Sequence, residues 1–211
     1  MSPILHTIVT TVGGIVAGIA LAGALLWRQH QALQAARYDA THDELTGLPN
    51  RRLLLTRLRA MLSEHAPCGV VLLDLDGFKA VNDTWGHDAG NILLAQVGRL
   101  LAGLRAPVEI AARLSGDEFA LLVRGDADAT AAVARAAWRV IGAAPIDLGC
   151  GAISVRASVG YTHTRASTPP RQLLAEADGA MYQAKRTGVG VCRHQPLTAP
   201  PGRYGRDRHY C

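Results

Sequence analysis

Lysine is nearly absent from this chain. Of its 22 basic residues only Lys79 and Lys185 are lysines, and all the others are arginine. A compact, flexible ammonium suits a phosphate oxygen as a point charge, so these two positions stand out. Cysteine is scarce too. Cys68, Cys150, Cys192 and Cys211 contain no closely spaced pair. That excludes a zinc ribbon and a disulfide framework, and leaves reduced thiols as the reading. The eight histidines are scattered, with no His-x-x-x-His ligand pair. Net charge is modest at +5. It favours anionic ligands or an anionic membrane surface, does not by itself indicate nucleic acid, and is matched equally by a solvated arginine-rich surface.

One stretch lacks charge altogether. Thr7 to Trp27 has no Asp, Glu, Lys or Arg and is rich in Ile, Val, Leu, Ala and Gly. Its 21 residues, at helical rise, match the ~30 Å hydrocarbon core of a bilayer. This predicts a transmembrane helix. A secretory signal peptide is the competing reading: Ala20-Leu21-Ala22 imitates a cleavage site, but Met1 to His6 carries no Lys or Arg. Arg28, Arg37, Arg51 and Arg52 follow the span, which places its C-terminal side in the cytoplasm. Gly14 and Gly18 form a small-xxx-small pair through which two spans could pack.

At 211 residues the chain has room for one domain plus an appendage, and 49% hydrophobic content is ample for a core. The expected partition is a tail at 1–6, the span at 7–27, a helical linker at 28–42, a globular domain at 43–195 and a disordered Pro-, Gly- and Arg-rich tail at 196–211. No sensor domain fits between span and globular part. Pro49-Asn50 marks a turn before a helix from Arg51 to Glu64. Gly69 to Asp74 reads as a buried strand, and Ala89 to Leu104 as a helix from its apolar spacing. Ile110 to Leu114 and Phe119 to Val123 read as a hairpin with Ser115 to Glu118 at its tip. A helix from Ala127 to Ile141, a strand from Ile153 to Tyr161 and a helix from Arg171 to Arg186 complete the order. This β-α-β-β-α-β succession is ferredoxin-like, an α/β (α+β) sheet flanked by helices.

Chemistry concentrates between Val70 and Phe119. The strand ends in Asp74-Leu75-Asp76, and Phe78, Lys79, Asn82, Asp83, Gly86 and His87 follow in close order. Leu114-Ser115-Gly116-Asp117-Glu118-Phe119 then sets a second acidic turn between two apolar runs. Acids at a strand end and in a facing turn can converge on a divalent cation, as a phosphoryl-transfer site requires. A pair of solvated turn acids would be the plain alternative.

These residues resemble the GGDEF domain, the catalytic module of bacterial diguanylate cyclases. Four blocks match in order: Asp43 to Arg52, Asp74 to Gly90, Arg113 to Phe119, and Ala177-Asp178 through Met181 to Lys185. They cover about Asp43 to His194, and both lysines fall inside them. The name-giving motif reads Ser-Gly-Asp-Glu-Phe, with Ser115 in place of its first glycine. A residue needing positive φ at that position would be strained by the added Cβ. The resemblance implies a palm-like, nucleotide-cyclase-like sheet. It also implies a homodimer in which each domain holds one GTP and the pair makes cyclic di-GMP and pyrophosphate.

The resemblance further assigns roles. Asp74, the carbonyl of Leu75, and Asp117 would bind Mg²⁺, with Mn²⁺ as an alternative. Asp117, Glu118 and Lys79 would be catalytic, Asp117 helping to deprotonate the attacking 3′-hydroxyl. Asn82, His87, Asn91, Ser115, Gly116 and Lys185 would bind substrate. Asn82 matches a guanine-reading position; Asn91 stands where the family has an aspartate, so its single neutral acceptor reads guanine more weakly. Val189 occupies the place of a family arginine, and Arg186 would point elsewhere on its helix. The inhibitory product site, an Arg-x-x-Asp, is missing: its window is Ala106-Pro107-Val108-Glu109. The expectation is a single-pass protein of the bacterial inner membrane, its cyclase domain cytoplasmic, with GTP as substrate and no nucleic-acid partner. Ser115, Asn91 and Val189 support an alternative: a catalytically inactive module that binds GTP or another protein. Asn91 alone motivates a third reading, a cyclase of relaxed base choice.

Overall fold

The computed structural model describes residues 3–149, 151–164 and 168–195, with the side chains of residues 5–17 and 19 outside that description. The expected tail at 196–211 and the cysteines Cys150 and Cys211 lie outside the described residues. Helix α1 runs Pro3–Asp39, so residues 3–6, expected as a tail, are helical, and the expected linker continues the same helix. The expected span at 7–27 falls largely on side chains outside the description. Among the described residues no helix is long and apolar enough to cross a membrane.

Beyond a turn at residues 40–50 come α2 (Arg51–Ser63), β1 (Cys68–Leu75), α3 (Phe78–Ala102), β2 (Val108–Ser115), β3 (Glu118–Arg124) and α4 (Ala127–Gly142). A two-stranded ribbon of β4 (Ile146–Asp147) and β5 (Ala152–Ile153) precedes β6 (Ala157–His163), α5 (Pro170–Thr187) and β7 (Val191–Arg193). Side-chain caps start two of the helices. Asn50 accepts hydrogen bonds from the backbone N–H of Arg52 and Leu53, and Asp126 from those of Asp128 and Ala129. Each such cap is worth about 1 kcal/mol.

The main sheet has the order β2-β3-β1-β6-β7. β1 is antiparallel to both β3 and β6, and β7 alone runs parallel, beside β6. The first four strands in that order form the split β-α-β arrangement that the sequence predicts. β1 is central and covered on both sides, which is why it reads as an unbroken apolar run. Its alternation sorts two cores. Val71, Leu73 and Leu75 join α3 and α4 on one face; Cys68, Val70 and Leu72 join α2 and α5 on the other. Cys68 and Cys192 are free thiols, and burial raises the pKa of Cys68.

Three boundaries differ from expectation. The helix placed at Ala89–Leu104 begins eleven residues earlier, at Phe78, and breaks at Gly86, whose φ of 83° and ψ of 166° are not helical. The strand placed at Ile153–Tyr161 is two pieces: β5 pairs with β4, and β6 starts at Ala157. The chain leaves the sheet between them, where the Asp76 N–H takes the carbonyl of Arg156 at 3.0 Å. β7 was not expected, being only three residues long.

Candidate active site

Strand parity builds the site. Asp74 shares its side of β1 with Leu72, the side that α5 covers. Lys185, in the last turn of α5, reaches across and places Nζ 2.6 Å from Asp74 Oδ1. This hydrogen bond raises the Lys185 pKa, with the Asp74 charge acting in the same direction. Across the sheet Asp74 lies opposite Glu118 at the start of β3. The β2–β3 turn between Ser115 and Glu118 therefore sits beside the end of β1. Its backbone is tied there by a hydrogen bond from the Leu75 N–H to the Asp117 carbonyl at 3.3 Å.

Asp117 is half-buried. Burial raises its pKa, and the neighbouring negative charge of Asp74 raises it further. Two carboxylates close enough to repel one another are an arrangement that a cation relieves. Lys185 already supplies a positive charge to Asp74. A hard divalent ion held by one or two carboxylates, with its other positions left for water and phosphate oxygens, fits this donor set. Among the described residues no three His, Cys, Asp or Glu side chains form a fuller cage.

The turn itself is braced. Gly116 has φ of 47°, a left-handed conformation that glycine adopts without a Cβ penalty. Ser115 does not have positive φ, so the strain considered for a serine there does not arise. Its hydroxyl instead donates to Glu118 Oε2 at 2.9 Å. Arg113 donates from Nε and Nη2 to the Gly116 carbonyl at 3.0 and 2.8 Å. Its Nη1 reaches both carboxylate oxygens of Asp43 at 3.0 Å. Asp43 also accepts from the Thr46 N–H and hydroxyl. Burial works to raise the Asp43 pKa, but these hydrogen bonds outweigh it and hold the carboxyl below its ordinary value.

The remaining candidates form a looser shell. Asn82 turns its side-chain oxygen toward Gly90, into space that any Cβ there would fill. Asn91, the next residue, is exposed on α3. Lys79 and His87 are exposed and make no side-chain hydrogen bond or ion pair with described residues. Thus Asp74, Leu75, Asp117, Glu118, Ser115, Gly116 and Lys185 are brought together, whereas Lys79, Asn82, His87 and Asn91 lie along α3. Arg186 stacks 5.9 Å from the Tyr182 ring, away from Asp74, as its helical position predicts. Sequence reasoning missed two groups. Asp43 and Arg113 meet across seventy positions, and Asp76 accepts from the Ser158 hydroxyl at 2.8 Å. Nothing in the spacing of these four polar residues pairs them.

With this geometry in place, the comparisons decide the family. The model of the diguanylate cyclase GGDEF domain matches residues 40–190. The chain belongs to the GGDEF family. It is 40% identical over 162 residues to the bifunctional diguanylate cyclase/cyclic di-GMP phosphodiesterase MucR of Pseudomonas aeruginosa, covering 72% of this chain and 23% of MucR. It is 37% identical over 171 residues to the diguanylate cyclase TpbB of the same species, covering 77% of this chain and 39% of TpbB. The chain therefore spans well under half the length of these curated relatives. Among solved structures, the coiled coil and GGDEF domain of DgcB from Caulobacter crescentus, in complex with c-di-GMP, superposes with a TM-score of 0.74 at 27% identity. That match covers 85% of this chain and 98% of the DgcB chain. The GGDEF domain of DgcB alone covers 74% of this chain, so the likeness grows when the coiled coil is included.

Proposed function

We propose that this GGDEF protein is a diguanylate cyclase, condensing two GTP into cyclic di-GMP with release of two pyrophosphates. The observation that carries the reading is the meeting of Asp74, Asp117 and Lys185 where β1 ends beside the β2–β3 turn. In each of two equivalent steps the 3′-hydroxyl oxygen of one GTP attacks the α-phosphorus of the other. The bond from that phosphorus to the α–β bridging oxygen breaks, and pyrophosphate leaves with the electron pair. One domain holds one nucleotide, so a homodimer is required, and dimerisation switches the activity. The extension of the DgcB likeness into its coiled coil supports α1 as the pairing element.

GGDEF cyclases use divalent metal ions, and Mg²⁺ fits the two-carboxylate donor set here, with Asp74, the Leu75 carbonyl and Asp117 as its ligands. When bound, the ion supplies electrostatic stabilisation of phosphate charge. The chain's residues do the rest. Asp117, with its raised pKa, accepts the hydroxyl proton. Lys79 and Lys185 hold phosphate oxygens as point charges. Asn82 and Asn91 meet the guanine edge, His87 contacts the substrate, and the Ser115–Gly116 backbone lets a phosphate approach closely. Glu118, held by Ser115, completes the acidic edge. Positioning and preorganised charge supply most of the rate.

The uncharged run from Thr7 to Trp27, followed by arginines, supports a single-pass anchor in the bacterial inner membrane with the cyclase domain in the cytoplasm. The test is the full chain in lipid nanodiscs, given GTP and Mg²⁺, with products separated chromatographically. Cyclic di-GMP and pyrophosphate in a one-to-two ratio are expected. GTP binding without product would favour the second reading, an inactive GTP-binding module, which the exposed Val189 and the neutral Asn91 support.

A further inference from the structure

A groove runs between α2 and α5, on the sheet face opposite α3 and α4. Arg51, Leu55 and Arg59 recur every four residues along α2, so they form one stripe. With Arg171 and Leu174 at the start of α5 they line an outer cavity of about 460 Å³. An inner cavity of about 450 Å³ shares Arg51, Leu55, Arg171 and Leu174 with it, so the two are continuous. Leu54, Leu72, Leu114, Phe119 and Met181 give the inner cavity an apolar floor. Glu118 lines it too, so it reaches the base of the β2–β3 turn.

Charge is segregated along this groove. Arg51, Arg59 and Arg171 line the outer cavity, and no acid does. None of the three makes an ion pair or a side-chain hydrogen bond with a described residue. Helix α2 contains no acid from Arg51 to Ser63, and the first turn of α5 has none either. Glu176, further along α5, is engaged by Thr162 and Gln172. The two acids of the groove, Glu118 and Asp178, line the inner cavity alone. Three arginines thus face two carboxylates over the whole groove, and the positive excess lies at the outer end. A bound anion there relieves the mutual repulsion of the guanidinium groups, whereas the inner acids repel it.

We infer that this groove binds a single-chain alkyl phosphate. Arg51, Arg59 and Arg171 hold the phosphate head, since guanidinium groups pair with its oxygens in a fixed fork geometry. The alkyl chain turns inward, away from water, over Leu54, Leu72, Leu114 and Met181. Each cavity lies in the ~300–1,000 Å³ range of small-molecule sites. The inference does not rest on the cyclase reading. Glu118 is the one lining residue that also belongs to the acidic site, so ligand and turn meet at that side chain.

The experiment is calorimetry on the full chain in phosphatidylcholine nanodiscs, with empty nanodiscs as the blank. The probe is octyl phosphate below its micellar concentration, compared with butyl phosphate, inorganic phosphate and octyltrimethylammonium. Octyl phosphate should bind saturably at one site per chain. Butyl phosphate and inorganic phosphate should each bind at least about tenfold more weakly, because less apolar surface leaves water. Octyltrimethylammonium should not bind. In the triple variant Arg51→Gln/Arg59→Gln/Arg171→Gln, affinity for octyl phosphate should fall at least about tenfold. Ala175→Trp, which fills the inner cavity from α5, should weaken it by a similar factor. Thermal unfolding of the triple variant should match wild type, and the chain-length series needs no variant at all. Octyl phosphate binding no greater than the blank would overturn the inference. So would an unchanged affinity in the triple variant, or equal affinity for inorganic phosphate or for the cationic amphiphile. A chain that binds octyl phosphate in this way yet makes no cyclic di-GMP would refute the cyclase reading alone.

Discussion

Arg113 grips two parts of the molecule at once, the Asp43 carboxylate and the Gly116 carbonyl, at distances of 2.8 to 3.0 Å. The side chains of Arg113 and Asp43 are 13% and 25% exposed, so water screens the pair only partly. Hydrogen bonds to charged groups contribute about 1.5–3 kcal/mol. Asp43→Asn should therefore destabilise the fold by about 2 kcal/mol at neutral pH and slow product formation by loosening the turn. The folded-state pKa of Asp43 lies below its unfolded value. Its contribution is thus fully present above the ordinary carboxylate value of 3.8 and is lost as pH falls through the lower folded one. Thermal unfolding of wild type and variant across acidic pH should converge at the low end. A stability gap that persists there would contradict the ion-pair account.

Asp74→Asn and Asp117→Asn should each abolish cyclic di-GMP formation while the fold persists. Each removes a charged oxygen donor that a hard cation prefers. Circular dichroism controls for folding, and turnover at the wild-type rate in either variant would refute the two-acid assignment.

Added cyclic di-GMP should not inhibit noncompetitively. The only acid in the Arg-x-x-Asp window, Glu109, is held by Arg57 at 2.9 Å and Arg124 at 3.1 Å, and Ala106 offers no charge. Initial rates at saturating GTP should stay flat as product is titrated in. A drop that excess GTP fails to relieve would point to an inhibitory site elsewhere.

Asn91→Asp should raise kcat/KM for GTP and sharpen its preference over ATP and ITP by about tenfold. The change replaces a neutral acceptor by a charged one, worth roughly 1 kcal/mol more per hydrogen bond. An unaltered preference would remove Asn91 from base recognition and end the relaxed-specificity reading.

Gly160 lies where β6 meets α5, and a Cβ there would run into the Met181 nitrogen and the Ala177 carbonyl. Both are backbone atoms that cannot swing aside. Gly160→Ala should cost about 3 kcal/mol or prevent folding. A melting temperature within a degree or two of wild type would show that the two elements separate easily.

Much of this architecture was legible because burial leaves a strong imprint. Val70 to Leu75 is enclosed on both faces, so it had to be apolar, and Asp74 stood out against it. The hairpin around Ser115–Glu118 was readable for the same reason. Phe78 to Trp85 was not read as helix, because Lys79, Asn82, Asp83 and Thr84 interrupt any apolar stripe and Gly86 ends the segment. The Ile153–Ala157 alternation looked continuous, yet Arg156 gives its carbonyl to Asp76 rather than to a neighbouring strand. Within the site, the acids and Lys185 were found through motif spacing. The Asp43–Arg113 pair was not, since seventy residues separate its members and only the folded sheet brings them together.

The junction between α1 and the domain has no slack. The Asn50 N–H takes the Thr41 carbonyl, Asn50 Nδ2 takes that of Ala40, and the Arg113 N–H takes that of Pro49. Tyr38 stacks on His42 at 3.8 Å, closing the turn from the helix side. An unbroken run of hydrogen bonds therefore links the end of α1 to Arg113, and Arg113 to Gly116. The foot of the long helix and the tip of the β2–β3 turn are the two ends of one braced path.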